Sequence, residues 1–232
     1  MIKNLLRVLA ALSLALTPLA VPAAADAVPA AAAAQTFPLS YAIGQIPVAE
    51  ESRVAEESRA GYTRDKFKHW NSGLDPADGC NTRAEVLLAE ASEAPTVSAG
   101  CKLTDGEWLS YYAEQKVSDP AKLDIDHMVP LAEAWASGAS AWSAARREAH
   151  ANDQDAAASL VVVTSRTNRQ KADQDPSSWM PPAPTATCRY LAEWTAPKLR
   201  WGLSAAQSEI DTINVYAGGP CQMTVVHYIP AP

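Results

Sequence analysis

Positive charge is in short supply in this chain. Its 232 residues hold 19 Lys and Arg against 26 Asp and Glu, a formal net charge of −7. A protein held on nucleic acid by bulk charge gains affinity by replacing counterions with Lys and Arg, so that class is excluded. An enzyme that meets phosphate through a divalent cation and a few local bases is not. The four cysteines form no Cys-x-x-Cys pair, which argues against a zinc–thiolate site. No Gly-x-Ser-x-Gly elbow is present, so a Ser–His–Asp hydrolase has no nucleophile turn to build on. There is no internal repeat, and no helix-turn-helix or zinc finger that would read a base sequence.

Long apolar runs are also missing, apart from one at the start. Lys3 and Arg7 precede an apolar stretch around Val8–Leu19, and Ala23-Ala24-Ala25 follows. That stretch is too short to cross roughly 30 Å of hydrocarbon comfortably. Its three parts stand in the order of a cleaved secretory signal over residues 1–25. Cleavage removes two of the 19 basic residues and none of the 26 acidic ones, so the formal charge moves from −7 to −9. An exported chain with an even number of cysteines is expected to pair them. Of the three possible connectivities, the local pairs Cys80–Cys101 and Cys188–Cys221 are expected. No stable membrane association is expected after cleavage; the product is secreted.

Residues 26–45 are rich in Ala and Pro without regular apolar period and read as a flexible leader. Residues 46–232 then form one domain. Glu50–Arg59 reads as a charged helix, and Thr82 with Glu85 reads as a capping box opening a helix to Ala91. Leu131–Ala136 and Ala141–His150 read as helices broken at Ser137-Gly138. Leu160–Thr164 is the clearest strand, a β-branched run with polar flanks. Tyr190–Trp194 and Ser204–Tyr216 read as helices separated by Pro197. The fold class is therefore α+β, helix-rich, with a small strand element. Trp135, Trp142, Trp179, Trp194 and Trp201 read as core aromatics, His69 as a packing histidine, and Arg146-Arg147 as a solvated helix face.

Chemistry is concentrated in Leu123-Asp124-Ile125-Asp126-His127-Met128-Val129-Pro130-Leu131. A carboxylate is a hard oxygen ligand for Mg²⁺, and an adjacent imidazole can take a proton from water. Neighbouring residues on a strand point to opposite faces, so Asp126 and His127 serve one centre only if the strand ends there, which Pro130 favours. The strand Leu160–Thr164 runs directly into Ser165-Arg166-Thr167-Asn168-Arg169-Gln170-Lys171-Ala172-Asp173, a basic helical turn whose Asn168 offers a neutral oxygen.

Asp-x-Asp-His-x-Val-Pro, a β-branched strand, and then Asn-Arg-x-Lys-x-Asp resemble the HNH nucleases. The wider chain is similar to the secreted actinobacterial HNH endonuclease family proteins, grouped with the C-terminal domain of GmrSD-type restriction enzymes. Residues 61–70, 80–87, 124–139, 151–153 and 168–182 carry that likeness. The resemblance implies a ββα-metal core over about residues 122–175, a hairpin with a helix across it, stapled here by disulfides. It implies a metal-dependent endonuclease acting on nucleic acid, DNA above all, with little sequence specificity. One divalent metal, Mg²⁺ or else Mn²⁺ or another ion, would be held by Asp126 and Asn168, with His127 as general base. Arg169 and Lys171 would touch flanking phosphates. Asp124 would orient His127 or widen the acidic shell, and Asn152 and Asp153 would brace the metal loop or cap a turn. Ser159 stands where many such sites have an Asn tying the two strands together. The alternative class is a non-catalytic, disulfide-bonded extracellular module that binds Ca²⁺ through Asp124, Asp126 and Asn168. Such a site would have no use for His127.

Overall fold

The computed structural model describes residues 32–49 and 59–232. In chain order the elements are β1 (Gln35–Pro38), α1 (Leu39–Ile43), α2 (Thr82–Ala89), β2 (Ala91–Glu93), β3 (Thr96–Ser98), β4 (Lys102–Thr104), β5 (Glu107–Ser110) and β6 (Gln115–Val117). They continue with β7 (Leu123–His127), α3 (Leu131–Ala136), α4 (Ala144–Ala151), β8 (Leu160–Thr164), α5 (Ser165–Lys171), α6 (Thr187–Trp201), α7 (Gln207–Ala217) and β9 (Val225–Tyr228). The strands pair as β1–β9, β2–β5–β6, β3–β4 and β7–β8. The result is a mixed α/β domain carrying two disulfides.

β8 organises the molecule because both of its faces are buried. Val161 and Val163 pack into the main core, with Leu191, Trp194, Trp201 and Ile213. Leu160 and Val162 pack into a smaller core, with Val86, Leu87, Trp108, Val117, Leu123 and Ile125. Each such side chain contributes about 1.5–3 kcal/mol when fully buried, so a one-residue slip of register would forfeit both cores at once. β7 pairs antiparallel to β8 with Asp124 opposite Val163 and Asp126 opposite Val161. Directly opposite residues share a face. Asp124 and Asp126 are thereby placed on the main-core face, and Leu123 and Ile125 on the other. α5 leaves β8 without a linker, capped by Thr164, whose hydroxyl accepts from the Thr167 amide, and it lies across the face that carries the two aspartates.

Several expectations need correction. The segment Gln35–Gln45 is not a flexible leader: β1 pairs with β9, and Leu39, Ala42 and Ile43 are buried. Its partner strand lies at the far end of the chain, so no local pattern betrays it. The signal segment, the start of the leader and the helix expected over Glu50–Arg59, apart from Arg59, lie outside the described residues. α2 is capped by Asn81, not Thr82, and Glu85 turns away to accept from the amides of Leu74 and Asp75 and from Gln154. α6 continues through Pro197 because buried Trp194, Ala196 and Trp201 hold that stretch in the core. Packing of that size outweighs the ~3 kcal/mol that an interior proline costs. Trp135, Trp194 and Trp201 are buried as expected, with Trp142 and Trp179 packed against the same core. Arg146 and Arg147 form no solvated face. Arg146 donates to the Trp201 and Pro232 carbonyls, and Arg147 to those of Lys66, Ala139 and Trp142.

The disulfides join Cys80 to Cys101 and Cys188 to Cys221, the local pairs, across separations of 21 and 33 residues. Loops of this length restrict the unfolded chain enough to stabilise by about 3 kcal/mol each. Replacing either pair by alanines is expected to cost that amount in urea denaturation. A loss below ~1 kcal/mol would show that the unfolded chain is already restricted there.

Candidate active site

Residues three apart on a helix are neighbours on one face, so Ser165, Asn168 and Lys171 form a polar stripe on α5, and it lies against the aspartates of β7. The Ser165 hydroxyl donates to Asp124 Oδ1 (2.9 Å) and Asn168 Nδ2 to Asp124 Oδ2 (3.2 Å). Lys171 Nζ donates to Asp126 Oδ2 (2.6 Å) and to the carbonyls of His127 (3.1 Å) and Met128 (2.9 Å). The Tyr112 hydroxyl also donates to Asp126 Oδ2, at 2.6 Å. Asp126 and Lys171 are both buried. Burial pushes the Asp126 carboxyl up and the Lys171 ammonium down, and the ion pair between them opposes both shifts. Lys171 uses all three of its donors, so the chain end of β7 is pinned to α5.

His127 ends β7, immediately before the bend at Met128–Val129, and that position lets it share a centre with Asp126. Its Nε2 lies 2.9 Å from the Ala151 carbonyl. A carbonyl only accepts, so Nε2 carries the hydrogen of the neutral ring and Nδ1 keeps its lone pair. Burial holds the His127 pKa well below its ordinary value, so the ring is neutral at pH 7. Trp70 packs on it at 5.3 Å between ring centroids, and His69 meets it edge-on at 6.0 Å. His69 bonds the Phe67 carbonyl through Nδ1 (2.7 Å) and belongs to this aromatic wall.

Asp126, His127 and Asn168 line one cleft of about 320 Å³, with Arg64, Arg169 and Asp173 at its rim. Among the described residues, no hydrogen bond reaches Asp126 Oδ1, His127 Nδ1 or Asn168 Oδ1. Because Asp124 takes the amide nitrogen of Asn168, the oxygen is left for the cleft. No three His, Cys, Asp or Glu side chains converge to hold an ion among the described residues. The donor set here is one carboxylate oxygen and one carboxamide oxygen. That set suits a hard cation such as Mg²⁺, which keeps several waters and needs few protein ligands.

A family model described as GmrSD restriction endonucleases, C-terminal domain, matches residues 76–213. The chain belongs to that family. The GmrSD C-terminal match contains both strands and the helix of the site, together with α2, β2–β6, α3, α4, α6 and most of α7, while Arg64, His69 and Trp70 precede it. Membership in a restriction-endonuclease domain family points to nuclease activity on nucleic acid. The chain is also 38% identical over 149 residues to a protein of Arthroderma benhamiae named "Uncharacterized secreted protein", covering 64% of this chain and 71% of that relative. The secreted relative and the two disulfides agree with an oxidising, extracellular setting. No solved structure gives a significant match.

Within this GmrSD C-terminal-type domain, several expected roles change. Lys171 is no phosphate contact: it is fully buried and spent on Asp126. Asp124 orients Asn168 and makes no hydrogen bond to His127. Asn152 accepts from the Asn71 amide and the Thr82 hydroxyl and donates to the Lys68 and Glu148 carbonyls. Asp153 accepts from Arg200, Trp201 Nε1 and Ser159. Neither enters the cleft; they lock the chain just after Ala151, whose carbonyl sets the His127 tautomer. Ser159 closes the hairpin through its own carbonyl, which accepts from the Met128 amide at 3.0 Å. Arg169 is exposed at the rim, as a phosphate contact requires. Arg64 was not foreseen, and its only sequence signal was its place in the Gly61–Trp70 segment.

His150, one residue before Ala151, is buried among Phe67, Trp142 and Trp201, and its Nδ1 has no partner among the described residues. Burial lowers its pKa to about 4. A base depressed in the folded state favours folding above its unfolded pKa near 6.5, and that contribution is lost as pH falls toward 4. About 3 kcal/mol is expected to disappear over that interval. His150→Leu should flatten the urea-derived stability profile between pH 6.5 and 4; an unchanged slope would assign the acid sensitivity elsewhere.

Proposed function

We propose that the chain is a secreted, metal-dependent endonuclease of the HNH type, in which β7, β8 and α5 are the ββα-metal core. The observation that carries this reading is the convergence, in one cleft, of a neutral imidazole with a fixed tautomer and two unclaimed side-chain oxygens. Asp126 and Asn168 would hold one divalent cation, Mg²⁺ foremost. When bound, that cation would neutralise the scissile phosphate and the departing 3′ oxygen. His127 Nδ1 takes a proton from the attacking water, and the Ala151 carbonyl steadies the imidazolium that results. Lys171 and Tyr112 hold Asp126 so that Oδ1 faces the cleft. Asp124 holds the Asn168 amide in the orientation that presents its oxygen. Arg64 and Arg169 stand where flanking phosphate charge would lie.

Among the described residues no module for reading bases accompanies the site, which supports broad cleavage, DNA being the favoured substrate. Residues 1–25 would direct export and be removed, with the folded nuclease domain under way by Gln35. A structural Ca²⁺ module accounts for the oxygens and leaves the open Nδ1 of His127 without purpose. The test is cleavage of supercoiled plasmid by the oxidised protein lacking residues 1–25, with Mg²⁺, with Mn²⁺ and with EDTA. Nicking that requires the metal is expected. Folded protein that cuts neither DNA nor RNA with any divalent ion would overturn the proposal.

A further inference from the structure

The charge of this chain is negative, yet three exposed arginines with no ion pair among the described residues, Arg64, Arg166 and Arg169, line the cleft or the hollow next to it. A groove of about 550 Å³ runs between the β6–β7 connection and the start of α5. It shares Arg169 with the candidate active site, so the two hollows are neighbours on either side of that residue. Arg166, Lys116 and Lys122 also line it, opposed by the single carboxylate of Asp119. Lys116 is paired with Glu107 at 2.6 Å, and Lys122 lies 3.9 Å from Asp119. Arg166 and Arg169 are exposed and make no ion pair or hydrogen bond among the described residues. They are three residues apart on α5, hence neighbours on one face.

We infer that this groove carries the sugar–phosphate backbone of the substrate strand away from the cleft, with Arg169 and then Arg166 meeting successive phosphates. The inference rests on the nuclease reading for its occupant and adds the direction of the strand and the mode of recognition. The groove has no aromatic side chain among its lining residues, so no base can stack there. Recognition falls to phosphates, which carry no sequence information. Arginine suits that role because its planar fork meets phosphate oxygens in pairs. Arg64 also lines the cleft, from a segment other than α5.

Arg166→Gln is the probing variant, since Arg166 lies outside the cleft and its exposure spares the fold. Two readouts separate the ideas. The first is binding of a fluorescein-labelled 20-nucleotide DNA strand, followed by anisotropy across a salt series in EDTA and again in Ca²⁺. Loss of one phosphate contact should lower the slope of log K against log salt by about 0.7–0.9 and weaken binding roughly ten-fold. The second is the ratio of oligonucleotide cleavage to hydrolysis of bis(p-nitrophenyl) phosphate, a diester too short to reach Arg166; the ratio should fall roughly ten-fold. An unchanged salt slope in the variant, or a wild type that binds the strand in neither condition, overturns the track. Wild-type protein that binds with the expected slope yet hydrolyses neither diester overturns the nuclease reading and leaves the track standing.

Discussion

His127→Ala is expected to lower single-turnover plasmid cleavage in Mg²⁺ by about 10²–10⁴-fold, the range that a positioned general base supplies. The loss follows from the tautomer. With Nε2 bound to the Ala151 carbonyl at 2.9 Å, the lone pair that the ring offers to a water in the cleft is that of Nδ1. The truncation also empties a buried site, so the melting transition must be followed alongside the rate. Added imidazole separates the two effects, because it can refill the space left by the ring and restore part of the rate without correcting a misfolded hairpin. A variant that cuts at the wild-type rate would remove His127 from the chemistry.

Lys171→Met is expected to destabilise the protein by about 3–5 kcal/mol, the cost of stranding a buried charge. Its ammonium is fully buried and contacts Asp126 Oδ2 and two backbone carbonyls, and a methionine in its place has no proton to donate to any of them. The Asp126 carboxyl, already raised by burial, would rise further without its cation. The folded state then binds the extra proton, so the deficit should be greatest at neutral and higher pH and shrink on acidification. Adding Asp126→Asn should recover part of the stability at pH 8, since a neutral amide needs no counterion. A single variant within 1 kcal/mol of wild type would show that the pair is not held as an ion pair in solution.

Much of the hairpin–helix unit was legible. The valine run of β8, the Asp-x-Asp-His segment of β7, the Asn168 helix and the break at Ser137-Gly138 all follow from residue order and period. Lys171 shows where such reading ends. As part of a basic turn it looked like a phosphate contact, and a lysine in isolation belongs in water. The spacing of Ser165, Asn168 and Lys171 does announce a polar stripe on α5. It takes the register of β7 against β8 to show that two aspartates face that stripe. Arg64 and Arg169 reverse the case, since nothing local distinguishes a rim arginine from Arg147, which is spent on backbone carbonyls.

The amino-acid sequence by itself determined most of the local elements, the acidic balance, and the residue types able to do hydrolytic chemistry at Asp126, His127 and Asn168. These depend on side-chain chemistry and on periods of two and 3.6 residues, which are local properties. Only the tertiary structure decided that Gln35–Pro38 closes a sheet with Val225–Tyr228, that Asp124 serves Asn168, that Lys171 is buried under Asp126, and that the Ala151 carbonyl sets the proton on His127. Each joins residues distant in sequence, and a buried polar group takes whichever partner the packed chain brings within hydrogen-bonding reach.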